Sequence, residues 1–328
     1  MGRQGSSPRS FDLTVLSPSE TSQTSRAPSA RDYIDLLKPR VMSLVVFTGA
    51  AGVFAAPGTP NPILAAAVVL AIAAGAGGAG ALNMWFDADI DAGMSRTRMR
   101  PVPAGLVPRE EALMLGLVMS GLGVLTAALA AGPLAAGLLA FSIWFYAVLY
   151  TQWLKRRTAQ NIVIGGFAGA LPPAIGWAGM TNAVPLDPWL LVAIIFLWTP
   201  PHFWALALYR SGDYAKVGVP MLPVTKGHAA TRRGVFGYTL LLALSASAPC
   251  VTGLGGALYL ATAGISSGVF VLLAWRLLRA EPEGEERAAR NVFAFSILYL
   301  FLLFGALLAE HAFGLHVDFA ELIEGWVR

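Results

Sequence analysis

Leu82-Asn83-Met84-Trp85-Phe86-Asp87-Ala88-Asp89-Ile90-Asp91 closes an apolar run that begins near Pro62. The run is long enough to cross a bilayer, which takes about 20 apolar residues in a helix. Three carboxylates therefore stand where a membrane helix leaves the hydrocarbon. Asn83, Asp87 and Asp91 are four apart. On a helix continuous with the run they share one face, with about 5–6 Å between neighbours. The C-terminal end of a helix already carries about half a negative charge. Anions gathered there need a cation. An amide and two carboxylates offer the hard oxygen ligands that Mg²⁺ takes. Asp89 points elsewhere. Arg96, Arg98 and Arg100 follow, and guanidinium forks suit phosphate oxygens. The stretch reads as a Mg²⁺–diphosphate station at a membrane surface, with Asn83, Asp87 and Asp91 as metal ligands.

Composition agrees with the bilayer. The 328-residue chain is 56% hydrophobic and 13% charged, where a soluble chain carries about 25% charged residues. Apolar runs of spanning length lie near 41–57, 62–85, 111–130, 133–151, 161–180, 188–209, 234–254, 257–278 and 291–312. The expected fold is all-α, a polytopic membrane protein of nine transmembrane helices. With the N-terminus in the cytoplasm, 22 of the 23 Lys and Arg residues fall on the cytoplasmic side and only Arg328 on the other. The positive-inside rule selects that orientation. Most of these cations serve topology alone, but those beside the acidic motif are candidate ligand contacts. Residues 1–31, rich in Ser, Pro, Thr and Arg, read as a disordered cytoplasmic tail. They lack the apolar core of a secretory signal, and Asp12 and Glu20 argue against a mitochondrial presequence. Residues 32–313 form the membrane domain and 314–328 a short tail on the far side. A single cysteine, Cys250, leaves the chain without an internal disulfide. The Gly75–Gly80 stretch suits close helix packing.

A shift of 122 residues sets Met99-Arg100-Pro101-Val102-Pro103-Ala104-Gly105 on Met221-Leu222-Pro223-Val224-Thr225-Lys226-Gly227. The same register sets Asp91 on Asp213 and the second helix on the sixth. Two repeats of four helices follow, with a ninth helix appended, around a central cavity. Four is even, so the repeats are parallel. The sixth helix carries a second polar set: His202, Tyr209, Asp213 and Lys216, spaced 7, 4 and 3 apart. They share a face if the helix continues through Gly212. The Pro200–Pro201 pair should kink this helix, and Pro172–Pro173 should open space in the fifth. Asn161 opens the fifth helix on the basic side, next to Lys155 and Arg156. His228, His311 and His316 carry no functional expectation.

These residues resemble the UbiA superfamily of intramembrane prenyltransferases, over roughly residues 30–310. Asn83-x-x-x-Asp87-x-x-x-Asp91 with Arg96-Thr97 and Arg100-Pro101 is similar to the superfamily's first aspartate-rich motif. Tyr150-Thr151-x-x-Leu154-Lys155-Arg156, Asn161-Ile162-Val163-Ile164-Gly165-Gly166, Trp198-x-x-Pro201-His202-Phe203-Trp204 and Asp213-Tyr214 resemble its protohaem IX farnesyltransferase (haem O synthase) branch. Many relatives carry a second pair of acids four apart; here Tyr209 takes the first of those positions. The resemblance implies farnesyl transfer from farnesyl diphosphate to the 2-vinyl group of protohaem IX (haem B), with water addition, giving haem O. It implies Mg²⁺ as cofactor and a bacterial inner membrane, with a haem A synthase or terminal oxidase assembly downstream. Asp87, Asp91, Arg100, His202 and Asp213 would be catalytic. Asn83, Arg96, Lys155, Asn161, Tyr209 and Lys216 would bind substrate.

Two other readings stay open. One is a UbiA-type enzyme acting on an aromatic or chlorin acceptor. The other is a transporter of anionic lipid or diphosphate. A transporter places charge near the bilayer midplane and commonly uses inverted repeats, whereas these ionisable clusters gather at one face.

Overall fold

The computed structural model describes residues 27–317. Most of the expected N-terminal tail, residues 1–26, and residues 318–328 of the C-terminal tail lie outside the described residues. Within them the chain is helical and has no strand.

The first repeat begins with α1 (Ala30–Leu36) and α2 (Pro39–Ala55), a single apolar path bent by 54°. Helix α1 starts inside the stretch assigned to the tail, at Ala30, because Asp32 accepts from the Ser29 backbone and closes a capping box. The bend falls at Lys38, whose backbone is left-handed (φ 53°) ahead of Pro39. Next come α3 (Pro62–Phe86), the short α4 (Ala88–Gly93), α5 (Arg109–Ala131) and α6 (Pro133–Trp144). Asn61 caps α3 through the Ile63 amide at 2.9 Å, with Pro62 at the first helical position. Helix α6 runs on as a π-helix, Phe145–Trp153, and a 3₁₀ turn, Leu154–Arg156.

The second repeat has the same order. A broken pair, α7 (Asn161–Ala170) and α8 (Pro172–Thr181), leads to the long α9 (Leu186–Tyr209). A short α10 (Ser211–Lys216) and a four-residue α11 (Leu222–Thr225) precede α12 (Gly227–Val251) and α13 (Ala257–Leu278). The ninth span is α14 (Pro282–Ala312). Eight helices of the described residues are long and apolar enough to cross a membrane, and the bent α1–α2 pair makes nine. Short helices after α3 and α9, and a broken first helix in each half, match the repeat read from the sequence.

Lipid is as apolar as leucine, so these helices associate by close packing more than by escape from water. Glycine provides the closeness. A Cβ on Gly78 of α3 would lie 2.6 Å from the Ser120 amide of α5, and one on Gly123 would lie 2.8 Å from Ala71 O. A Cβ on Gly52 of α2 would stand 2.1 Å from Pro173 O of α8. That contact corrects one expectation. The Pro172–Pro173 pair breaks the helix but opens no space there, because backbone from α2 fills it. Pro200 and Pro201 lie inside α9, which runs through them as one element. At the end of the bundle remote from the acidic motif, buried Glu310 of α14 accepts from the Gly256 and Tyr259 amides, both at 2.8 Å, and so satisfies the start of α13.

Candidate active site

Helix α3 ends at Phe86, and Asp87 is the joint between α3 and α4, with φ −85° and ψ 9°. The motif is therefore not on one unbroken helix, as expected. Its register survives the break all the same. Asp87 N donates to Asn83 O at 2.9 Å, and Asp91 N to Asp87 O at 2.8 Å. Asn83, Asp87 and Asp91 stay four apart along a helical path and are all buried, at 5%, 0% and 2% exposure.

Buried carboxylates need partners, and cations from two separate segments supply them. Lys155 Nζ donates to Asp87 Oδ2 at 2.5 Å, and Arg100 Nη1 to Asp91 Oδ2 at 2.6 Å. Arg156 holds exposed Asp89 through two bonds of 2.8 Å and lies 3.7 Å from Asp87 Oδ1. The same guanidinium rests over the Phe86 ring, 4.9 Å from its centroid. Its hydrogen bonds hold the Asp89 carboxyl below its ordinary pKa. Asn83 is turned between neighbours: its Nδ2 donates to Asp87 Oδ2 at 2.7 Å and to Thr151 Oγ1 at 3.0 Å. Its Oδ1 accepts from Lys38 Nζ at 2.5 Å.

Three of these partners carried no site expectation. In the sequence Lys38 and Arg156 read as topology cations, and Thr151 stands only within a motif. Lys38 reaches the site because the bend at Lys38–Pro39 turns its side chain to α3. The Lys-Pro dipeptide is the local signal for such a bend. Thr151 lies on the π-helix, where its Oγ1 donates to Tyr146 O at 2.8 Å. Wide turns of this kind recur at functional sites, but no residue pattern marks this one in advance.

The second station packs against the first. Ser95 Oγ donates to Asp213 Oδ2 at 2.5 Å, which holds the Asp213 carboxyl below its usual range. The Arg96 charge favours ionisation of the Tyr214 phenol. Burial still pushes that phenol above its ordinary value. Ile90, Met94, Tyr214, Val219 and Met221 form one apolar cluster with Ile162 beneath the two loops. Asn161 is buried there, with Nδ2 on Thr158 O at 2.6 Å and Oδ1 lacking a partner.

The shared face expected for His202, Tyr209, Asp213 and Lys216 is not formed. Helix α9 stops at Tyr209, and α10 restarts beyond Arg210. Tyr209 lies against Phe293, 6.0 Å between centroids, and under Arg290 at 4.7 Å. Lys216 is exposed and acts on Asp213 through its charge. His202 lies deeper by about 10 Å along the helix axis, at 1.5 Å per residue. It is bonded to Ser296 of α14.

The arrangement can hold a polyanion with a divalent cation. Lys155, Arg156 and Arg100 match Asp87, Asp89 and Asp91 in number, and the Lys38 amine stands beside them on Asn83. Asp87 Oδ1 is buried without a hydrogen-bond partner, an acceptor suited to a cation. No three His, Cys, Asp or Glu side chains converge on a metal-sized site among the described residues. Mg²⁺ commonly takes one or two carboxylates and completes its shell with water and phosphate oxygens, a set that Asp87 and Asp91 could begin.

The UbiA prenyltransferase family matches residues 44–302. A protoheme IX farnesyltransferase of Hyphomonas neptunium is 57% identical over 315 residues, covering 93% of this chain and 98% of that one. One from Caulobacter vibrioides is 57% identical over 316 residues, covering 90% and 94%. The solved UbiA homologue from Archaeoglobus fulgidus bound to GPP and Mg²⁺ superposes with a TM-score of 0.62 at 14% identity, over 84% of this chain and 99% of that one. At that identity the last likeness speaks for the fold.

Proposed function

The chain belongs to the UbiA prenyltransferase family, and from that premise we propose that it transfers the farnesyl group of farnesyl diphosphate to the 2-vinyl group of protohaem IX (haem B). The products are haem O and diphosphate. The observation that carries the reading is the pair of buried carboxylates, Asp87 and Asp91, each held by a cation from another segment at one end of the bundle.

Diphosphate leaves readily only when its charge is neutralised. Arg100, Arg96, Lys155 and Lys38 are the cations for that task. Mg²⁺ held by Asp87 and Asp91, with Asn83 assisting, would add charge neutralisation of the same kind. The allylic C–O bond breaks and its electron pair departs with diphosphate. The vinyl π pair then forms the new C–C bond to farnesyl. Water captures the cation left beside the porphyrin ring and releases a proton, which completes a hydroxyfarnesylethyl group. Apolar walls below the charged rim restrict water until that step. His202, Asn161 and Tyr209 line the path toward the acceptor, and Asp213 with Lys216 closes the rim.

The protein is an integral membrane protein. We place it in the bacterial inner membrane with the N-terminus and the acidic loops cytoplasmic, supported by the 22-to-1 distribution of basic residues. Incubating purified protein with haem B, farnesyl diphosphate and Mg²⁺ and weighing the porphyrin product tests the reaction. The expected product is haem B plus one farnesyl group and one hydroxyl. Unchanged haem B, with farnesyl appearing on another aromatic acceptor, would contradict the reading.

A further inference from the structure

His202 is locked in a defined orientation and tautomer. Its ring stacks with Trp198 (centroids 4.3 Å apart, 19° between planes) and with Phe293 (4.7 Å, 28°), and Phe203 meets it edge-on at 5.0 Å. Ser296 supplies the decisive contact. Its single hydroxyl proton goes to the Phe293 carbonyl, 2.6 Å away on the same helix. The Ser296 oxygen is then an acceptor toward His202 Nδ1, also 2.6 Å away. Nδ1 must therefore carry a proton, and in the neutral ring Nε2 presents a lone pair. The Ser296 carbonyl accepts from Trp198 Nε1 at 2.7 Å, which ties the stacking partner to the same residue. Nε2 has no hydrogen-bond partner among the described residues, and the side chain keeps 9% exposure.

We propose that His202 Nε2 is an axial ligand to the iron of the porphyrin acceptor, and that Ser296 is the positioning residue that fixes the donor tautomer. This inference rests on protohaem IX being the acceptor. A metal-ligating imidazole characteristically donates its other N–H to an oxygen acceptor, which sets the ring and raises its basicity. Ser296 provides that acceptor. The coordinate bond uses the Nε2 lone pair, so no proton moves and no oxidant or reductant is needed. A general base at the same position would use the same lone pair but would be indifferent to iron. Ligation below the acidic rim would hold the porphyrin at a set depth, with its vinyl edge toward the allylic carbon.

The test is haem binding to the full-length protein in nanodiscs, without farnesyl diphosphate. Wild type should bind ferric haem B with the Soret and electron paramagnetic resonance signature of imidazole ligation. It should bind metal-free protoporphyrin IX at least ~10-fold more weakly. His202→Ala should lose the imidazole signature, and added imidazole should restore it. Ser296→Ala should weaken haem binding about 10-fold, in line with losses for such outer partners, while Ser296→Thr recovers most of it. Equal affinity of wild type for haem and metal-free porphyrin would overturn the ligand assignment, with no variant needed. An imidazole signature that persists in His202→Ala would overturn it too. Haem O formation in either case would leave the acceptor reading standing. Absence of haem binding, with farnesyl transferred to another acceptor, would remove both.

Discussion

Lys155 Nζ and Asp87 Oδ2 meet at 2.5 Å across 68 residues of chain, beneath a carboxylate that is fully buried. The contact joins the end of α3 to the 3₁₀ turn that follows the π-helix. It leaves Asp87 Oδ1 without a hydrogen-bond partner, 3.7 Å from Arg156. Removing one member of a buried pair strands the other charge, a loss commonly of 3–5 kcal/mol. Asp87 is thus both a structural and a ligand-facing residue, and its variants need a folding readout beside an activity readout.

Asp87→Asn keeps the shape and removes the charge. It should lower farnesyl transfer by at least ~10²-fold, on the order of 3 kcal/mol in the barrier. Asp91→Ala should do the same. Electron paramagnetic resonance of Mn²⁺ with a non-hydrolysable farnesyl diphosphate analogue should show tight binding in wild type and weak binding in both variants. A wild-type rate from Asp91→Ala in excess EDTA would exclude the metal role.

Arg100→Ala should reduce turnover about 10²-fold, the scale of a lost transition-state charge contact. Arg100→Lys should recover only part, because the planar fork is lost. Lys38→Met should act mainly on substrate affinity, raising KM for farnesyl diphosphate roughly 10-fold, since Lys38 bonds the Asn83 amide and no carboxylate. Steady-state kinetics at varied farnesyl diphosphate separate the two effects. Unchanged KM in Lys38→Met would return that lysine to a topological role.

Asp89 and Asp213 are the two rim carboxylates whose acidity the fold alters. The Arg156 guanidinium holds Asp89, and the Ser95 hydroxyl holds Asp213, each below the ordinary carboxylate value of 3.8. A depressed folded-state pKa contributes stability above the unfolded value, and this is lost as pH falls through the lower folded value. The Asp89 side chain is 60% exposed, so its share is only about 0–1 kcal/mol. Asp89→Asn should therefore lower Tm slightly at pH 7, and the gap to wild type should shrink below about pH 4. A gap that widens on acidification would reverse the assigned sign.

Gly52→Ala drives a methyl group into the Pro173 carbonyl, where its Cβ would sit at 2.1 Å. Helices α2 and α8 would have to separate, at a cost of about 1–3 kcal/mol or more. Gly121→Ala in α5 meets nothing within 4 Å. Thermal unfolding in one detergent should show a clear fall in Tm for the first and little change for the second. Equal Tm values would mean that the α2–α8 contact is looser than its geometry indicates.

The sequence alone determined the bilayer setting, the nine apolar paths, the two repeats and the acidic motif, because hydropathy, four-residue spacing and charge asymmetry are local quantities written along the chain. The family followed from the same local patterns. What it misjudged were joints. Asp87 and Arg210 interrupt helices that looked continuous, since short polar segments at a helix end answer to whichever cations and loops pack on them. Only the tertiary structure decided which cations meet which carboxylates. Lys38, Arg156 and Thr151 looked ordinary in sequence and became partners through a bend, a turn and a π-helix. His202 was legible as a candidate, but its tautomer was not. That depends on where one serine proton goes, and Ser296 stands 94 residues away on the last helix. Periodicity reports the face a residue occupies, whereas a hydrogen-bond partner distant in sequence is chosen by how whole helices pack.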